Sequence, residues 1–434
     1  MKAEATVILG AGLAGLSAAY QMRKRGRPYL CFERQDRPGG LVRSERVSGY
    51  TFDYTGHLLH LAQERSRALV LKELGLQGKL RTVRRRSFVY SHGVYTRYPF
   101  QSNTHGLPLD VVSGCVRGFV EARLRESARR RPAAPGTFED WIVRSFGEGI
   151  ARHFMRPYNT KLWGVPPAGM TTEWMGRFVP RPGLADVLRG ALADRQDASG
   201  YNASFYYPQR GGIETLSKAL ARRVRVRTGL AALAVDVRRR TVRFSDGSSA
   251  RYGRLISSLP LKALVGLMPG APARIRGAAR RLRAVDVLNV NFGVAGRVVS
   301  DKHWVYVPEP AFPFYRVGFP HNFSPHMAPS GCSSLYAEIS HSKDRPVDKS
   351  KAPGRVREGL EAMGILKPRD RVAATFVAEI PGAYVVYDSH RTQAVGEIQS
   401  FLRENRIIST GRWGNWEYGS MEDAIWEGAE AALA

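Results

Sequence analysis

The sequence predicts an α/β fold in which a parallel sheet is interrupted twice, by a helical segment and by an antiparallel sheet. Three observations predict it. An apolar, strand-like run at Val7–Leu9 enters three glycines at fixed spacing. A block at roughly 80–205 repeats its apolar residues at helical spacing without strand–helix alternation. From about Val285 to Tyr387 the pattern alternates as in strands covered on one face. The expected division is residues 1–79, 206–275 and 391–434 for the parallel-sheet domain, 80–205 for the helical insertion and 276–390 for the antiparallel sheet. The 434 residues suffice for two or three such domains.

The opening stretch carries the first chemistry. Gly10, Gly12 and Gly15 stand at G-x-G-x-x-G spacing between the apolar run and a small-residue helix, Leu16 to about Arg25. A second strand, Tyr29–Phe32, ends on Glu33. This is the dinucleotide-binding fingerprint in context. The helix N-terminus offers N–H groups to a pyrophosphate, Leu13 and Ala14 are cofactor-binding candidates beside the glycines, and Glu33 is placed for a ribose diol. Arg34 then leads to a second glycine pair, Gly39-Gly40-Leu41, as in two-dinucleotide-binding flavoproteins. The expectation is therefore a Rossmann-type FAD-binding domain.

Composition narrows the class. Three scattered cysteines, Cys31, Cys115 and Cys332, argue against a disulfide framework or a zinc site and fit a reducing cytoplasm. The N-terminus goes directly into strand with no signal peptide, and apolar stretches fall short of the roughly 20 residues a membrane span needs. The net charge of +28 is mostly dispersed arginine. Runs such as Arg84-Arg85-Arg86 read as a solvated surface, since no nucleic-acid-binding motif accompanies them. Steering of phosphorylated substrates is a plausible by-product.

Residues 49–61 follow a hairpin pattern holding Asp53, Gly56 and His57. Gly56 permits close backbone approach. His57 is either a satisfied core residue or a neighbour of a flavin ring. A helix is expected near Arg65–Leu74. Tyr98-Pro-Phe100-Gln101 reads as a loop. Helices are expected over Leu109–Arg130 and Phe138–Tyr158, broken at Pro132–Gly136. Tyr158, Asn159, Lys161 and Trp163 follow, either as core or as a binding surface. Gly211-Gly212 precedes a helix from Glu214 to about Arg223. Strands Val224–Arg227, Leu233–Val237, Thr241–Ser245 and Leu255–Leu259 return to the nucleotide sheet. The antiparallel segment, with strands including Trp304–Val307 and Phe312–Val317 and a helix near Arg355–Met363, forms a substrate platform carrying Tyr306, Tyr315, Arg316 and Tyr384. After a helix at Ala394–Arg403, Ile407–Ser409 runs into Gly411. A last helix, Met421–Leu433, presents free N–H groups to the cofactor.

At this point the chain resembles the FAD-dependent UDP-galactopyranose mutases, the eukaryotic-like branch, within the amine-oxidase-like flavoproteins. The likeness rests on the N-terminal fingerprint, Gly56-His57, Tyr98-Pro-Phe100-Gln101, Met155–Trp163, Trp304–Arg316 and Gly411–Tyr418. It implies that reduced FAD serves as a nucleophile at the sugar's anomeric carbon, with no net redox change, and NAD(P)H is a candidate external reductant. By resemblance, Arg316 pairs with the substrate pyrophosphate, joined by Tyr306, Tyr384 and Tyr418. Tyr98, Phe100, Gln101, Asn159 and Trp163 form the uridine pocket. His57 sits near flavin N5 on a mobile loop. Gly411, Arg412, Ser420, Met421 and Glu422 meet the cofactor.

This chain departs from the family at three places. A second pyrophosphate arginine falls at Arg177, one position early, with Phe178 in its place and Arg181 nearby. His60 replaces a phenylalanine, and Ser420 an asparagine. Both bear on the base, so another nucleotide sugar is an open alternative. A flavin oxidase of amine or protoporphyrinogen type is the competing reading, because fold alone does not fix function. The expected partner is a nucleotide-diphosphate sugar, not nucleic acid or membrane.

Overall fold

The computed structural model describes residues 5–128, 136–176, 179–194 and 203–434. Its parallel sheet has four strands, in the order Ile407–Ser409, Arg254–Ser257, Thr6–Leu9 and Tyr29–Phe32. The Thr6–Leu9 strand is buried along its whole length, as expected of a parallel strand covered on both faces. Its apolar run leads through Gly10, at φ +87°, into the helix Leu13–Lys24. A Cβ on Gly15 would lie 1.9 Å from the Gly10 carbonyl oxygen, which is why the helix can turn back against its own strand. The final helix, Met421–Leu433, crosses the first at backbone contact: a Cβ on Gly428 would stand 2.0 Å from the Ala14 carbonyl oxygen.

The return to this sheet is shorter than expected. Val224–Arg227 is not a strand, and only an isolated bridge from Phe32 to Arg227 remains. Ala232–Asp236, Thr241–Phe244 and Ser249–Arg251 pair with one another as a separate antiparallel sheet. Only Arg254–Ser257 rejoins the parallel set. Alternating hydrophobicity marked these segments as strands without specifying their partners.

The segment from residue 80 also begins differently. It opens with Leu80–Arg84, which pairs with Ser204–Pro208. Ser87–Ser91 and Val94–Arg97 follow as a hairpin on the large sheet. The helices start later, at Leu109–Ser127, Phe138–Ile150 and Arg156–Trp163. Most of the expected break between the first two lies outside the described residues.

The large sheet has seven strands: Val372–Val385, Ala284–Val294, Ser333–His341, Arg316–Gly318, Trp304–Tyr306, Ser87–Ser91 and Val94–Arg97. All neighbours are antiparallel except Trp304–Tyr306 with Ser87–Ser91. The expected strand at Phe312–Val317 contracts to Arg316–Gly318. Pro313 lacks a ladder donor, and Phe314 turns into the second core. That core lies between the sheet and the helix Ala352–Ala362, with Leu288, Val290, Leu335, Val356 and Leu360 at its centre. The opposite face of the sheet, carrying the tyrosines, looks toward the nucleotide domain.

Candidate functional site

The cofactor end is built by glycines and an uncapped helix. No side chain caps the first helix, and its first turn holds no acid. Its N–H groups are left for an anion. A Cβ on Gly12 would meet only Gly40 Cα, at 3.9 Å, and Gly39 donates to the Ala11 carbonyl at 2.8 Å. The two glycine elements thus form the walls of one cradle, with Leu41 half-buried beside them and Arg34 exposed. Buried Glu33 accepts from Ala11 N at 2.7 Å and Gln35 N at 3.0 Å. A carboxylate has about four acceptor positions, so two remain for a ribose diol. These residues fit a dinucleotide such as FAD.

The last helix narrows one expectation. Ser420 Oγ accepts from Asp423 N at 3.2 Å, and Asp423 Oδ2 accepts from Ser420 N at 2.8 Å. This capping box engages the N–H groups of Ser420 and Asp423 and leaves those of Met421 and Glu422 as the ones this end can offer. Glu422 is buried, and its carboxylate accepts from Ala62 N and Gln63 N at 3.1 and 3.0 Å. It pins the loop that follows His57. Gly411 approaches the first helix, where its Cβ would lie 2.6 Å from Ala14 Cβ, and Met421 is half-buried. Arg412 donates to the carbonyls of Gly419 and Ala383 and lies 5.2 and 5.0 Å from the rings of Tyr384 and Tyr418. It therefore belongs with the tyrosine cluster.

That cluster is the polar centre of the cleft. Arg316 and Glu338 are register partners on adjacent strands. Arg316 donates from Nε to Glu338 Oε2 at 2.7 Å, and its Nη2 lies 2.5 Å from the same oxygen. Nη2 also reaches Tyr384 Oη at 3.4 Å. The guanidinium carbon stands 4.3 Å from the Trp304 ring. Tyr384 stacks on Tyr418 with centroids 6.0 Å apart, and Tyr158 meets Tyr306 edge-on at 5.3 Å. Burial pushes the Tyr418 phenol up to about 12 and that of Tyr158 well above its usual value, so both stay protonated hydrogen-bond donors.

The base-side residues divide. Tyr98 is half-buried and stacks on Tyr306 at 4.6 Å. Phe100 is fully buried against Phe154, at 5.0 Å, and is core with no face for a base. Trp163 is likewise fully enclosed, between Trp174 and the tyrosines. Asn159 donates to the Met155 carbonyl at 2.7 Å and accepts from Trp163 Nε1 at 3.2 Å, so its amide first serves its own helix. Gln101 donates to the Pro180 carbonyl at 2.8 Å, while its buried Oε1 has no partner among the described residues. Arg177 and Phe178 lie outside the described residues. Arg181 is placed 5.7 Å from the Trp141 ring.

His57 stands between the two ends of the site. Nδ1 lies 3.1 Å from the Thr55 carbonyl, which holds the proton there and leaves Nε2 as an acceptor. Burial, then the charges of Arg412 and Arg316, bring its pKa down to about 4. The preceding Gly56 runs tight over Tyr336, whose Oη would be 1.9 Å from a Cβ there.

The sequence left the contacts of three residues unassigned. Glu338 is the lone acid in nine consecutive buried positions, Ser333–His341, and that isolation was the available signal. Lys161 is buried, with Nζ donating to the carbonyls of Val307 and Glu309 at 2.9 and 2.8 Å. Arg85 sat unremarked in a basic run but donates from Nη2 to Tyr306 Oη at 2.6 Å.

A glycine-walled dinucleotide cradle facing a cleft on an antiparallel sheet defines a flavoprotein enzyme. The profile of the flavin-containing amine oxidoreductases matches residues 13–434, and the chain belongs to that family. A crystal structure of reduced UDP-galactopyranose mutase superposes with a TM-score of 0.92 at 32% identity, covering 99% of this chain and 94% of that one. Coproporphyrinogen III oxidases of Mycobacterium bovis and Mycobacterium leprae are 25% and 28% identical over 313 and 310 residues. These matches take in 67% and 65% of this chain and 66% and 65% of the relatives' length. Putrescine oxidase shares the fold, with a TM-score of 0.67 at 18% identity and coverage of 99% of this chain and 98% of that one.

Proposed function

We propose that this flavoprotein is a nucleotide-sugar mutase that interconverts pyranose and furanose forms, with UDP-galactose as the leading substrate. The observation that carries the reading is the grouping of Arg316, Tyr306, Tyr384 and Tyr418 around one cleft beside His57. When bound and reduced, FAD would supply the nucleophile toward the anomeric carbon without net oxidation. The chain's own residues hold the leaving group. The hydroxyls of Tyr306, Tyr384 and Tyr418 donate to diphosphate oxygens. The Arg316 fork adds charge-assisted bonds as negative charge grows on the departing phosphate. Neutral His57 places an acceptor at Nε2 near the reacting ring. The close superposition on reduced UDP-galactopyranose mutase supports this assignment.

The test is incubation of dithionite-reduced protein with a panel of nucleotide furanoses, followed by chromatography for the pyranose. Conversion only in the reduced state supports the mutase; equal conversion by oxidised protein, or none with any sugar, removes it. NAD(P)H is proposed as the reductant and is tested by flavin bleaching. The coproporphyrinogen oxidase relatives favour a second reading, an oxidase. It requires hydrogen peroxide release with a porphyrinogen or an amine, and gives the diphosphate-binding residues no role.

A further inference from the structure

We propose that Arg85 is a ligand-binding residue of this cleft, the guanidinium whose charge compensates the ligand's phosphates. The inference rests on the nucleotide-sugar reading of the same site.

Arg84, Arg85 and Arg86 look alike in the sequence, but the structure separates them. Arg84 and Arg86 are exposed, and Arg86 pairs with Asp301 at 3.2 Å. Arg85 is half-buried and reaches the aromatic cluster around Tyr306. Its Nε donates to Ser87 Oγ at 2.7 Å, and its Nη2 to Tyr306 Oη at 2.6 Å. Its guanidinium carbon lies 5.1 Å from the Tyr98 ring and 5.2 Å from the Trp304 ring. Trp304 is thus shared by two guanidiniums, since Arg316 lies 4.3 Å from the same ring.

Charge balance distinguishes the two. Arg316 is already neutralised by fully buried Glu338, so it brings direction to a phosphate but little net charge. Arg412 has both terminal nitrogens committed to backbone carbonyls. Arg85 has no carboxylate partner among the described residues, and its Nη1 makes no hydrogen bond to them. A diphosphate carries at least two negative charges that must be met when it leaves water. Arg85 meets them. By donating to Tyr306 Oη it also polarises that phenol, whose own hydrogen is then free for a phosphate oxygen.

The test is calorimetric titration of the flavin-loaded protein with UDP, UMP and uridine, for wild type and for Arg85→Ala, Arg85→Lys, Arg86→Ala and Arg316→Ala. Flavin absorbance reports that each variant is folded. Removing a charge-assisted bond should weaken UDP by roughly 10- to 100-fold. UMP should lose less and uridine less than about twofold, on the same scale. Arg85→Lys should recover part of the loss, and exposed Arg86→Ala should match wild type. Equal losses for UDP and uridine would overturn the inference, placing Arg85 in support of the Tyr98 ring alone. Unchanged UDP affinity in Arg85→Ala, with a loss in Arg316→Ala, would overturn it while leaving the mutase reading intact. Failure of wild type to bind UDP or UMP would instead overturn the reading beneath it.

Discussion

Arg316 and Glu338 face each other from neighbouring strands at 2.5 Å, with the carboxylate fully buried. The pair fixes the guanidinium before any ligand arrives. Removing one partner of such a pair leaves the other charge buried and uncompensated. Glu338→Ala is therefore expected to destabilise the fold by about 3–5 kcal/mol in urea unfolding. Glu338→Gln, which keeps the shape and an acceptor oxygen for Arg316, should lose less stability than Glu338→Ala. Equal stability of Glu338→Ala and wild type would contradict the assignment.

His57 gives a pH dependence with a definite sign. Its folded pKa, about 4, lies below the usual histidine value, because burial and the nearby arginines disfavour the imidazolium. Protonation therefore favours the unfolded chain. Its contribution to stability is whole above about pH 6.5 and is lost as pH falls toward 4. His57→Gln should flatten that part of a melting-temperature profile between pH 4 and 7. A profile identical to wild type would refute the placement.

Lys161 ties the helix bearing Asn159 and Trp163 to the segment after Tyr306. Burial, with Arg345 nearby, lowers its pKa to about 7. Between pH 7 and 10 the unfolded chain binds this proton more tightly, so stability should rise with pH across that window. Lys161→Met should remove the rise. Because the two walls of the cleft would drift apart, KM should increase more than kcat falls.

Gly56 has no room for a side chain beneath Tyr336. Gly56→Ala must displace the histidine loop or the phenol. The expected result is a flavin spectrum altered around His57 and turnover reduced by at least about tenfold, the effect of a small misplacement at the reacting centre. Unchanged turnover would show that the loop position is not critical.

Much of this was legible because local rules and tertiary packing agreed. The glycine fingerprint, the uncapped helix start and Glu33 all serve one ligand, and the terminal helix Met421–Leu433 lies where its periodicity put it. Phe100 and Trp163 show where legibility ended. An aromatic residue reads the same whether it stacks on a ligand or on another ring, and only packing revealed both as fully buried. Arg85 failed for the opposite reason. Charge composition cannot tell the one inward arginine from its two exposed neighbours. Glu338 needed strand register, which links residues 22 positions apart in no local pattern.

The central strand Thr6–Leu9 is flanked by Arg254–Ser257, and that strand in turn by Ile407–Ser409. During synthesis, the Thr6–Leu9 strand must therefore wait for the Ile407–Ser409 strand before its sheet is complete. Cofactor capture is consequently expected late in synthesis, and a nascent chain halted before residue 407 should hold flavin poorly even with its whole glycine motif present.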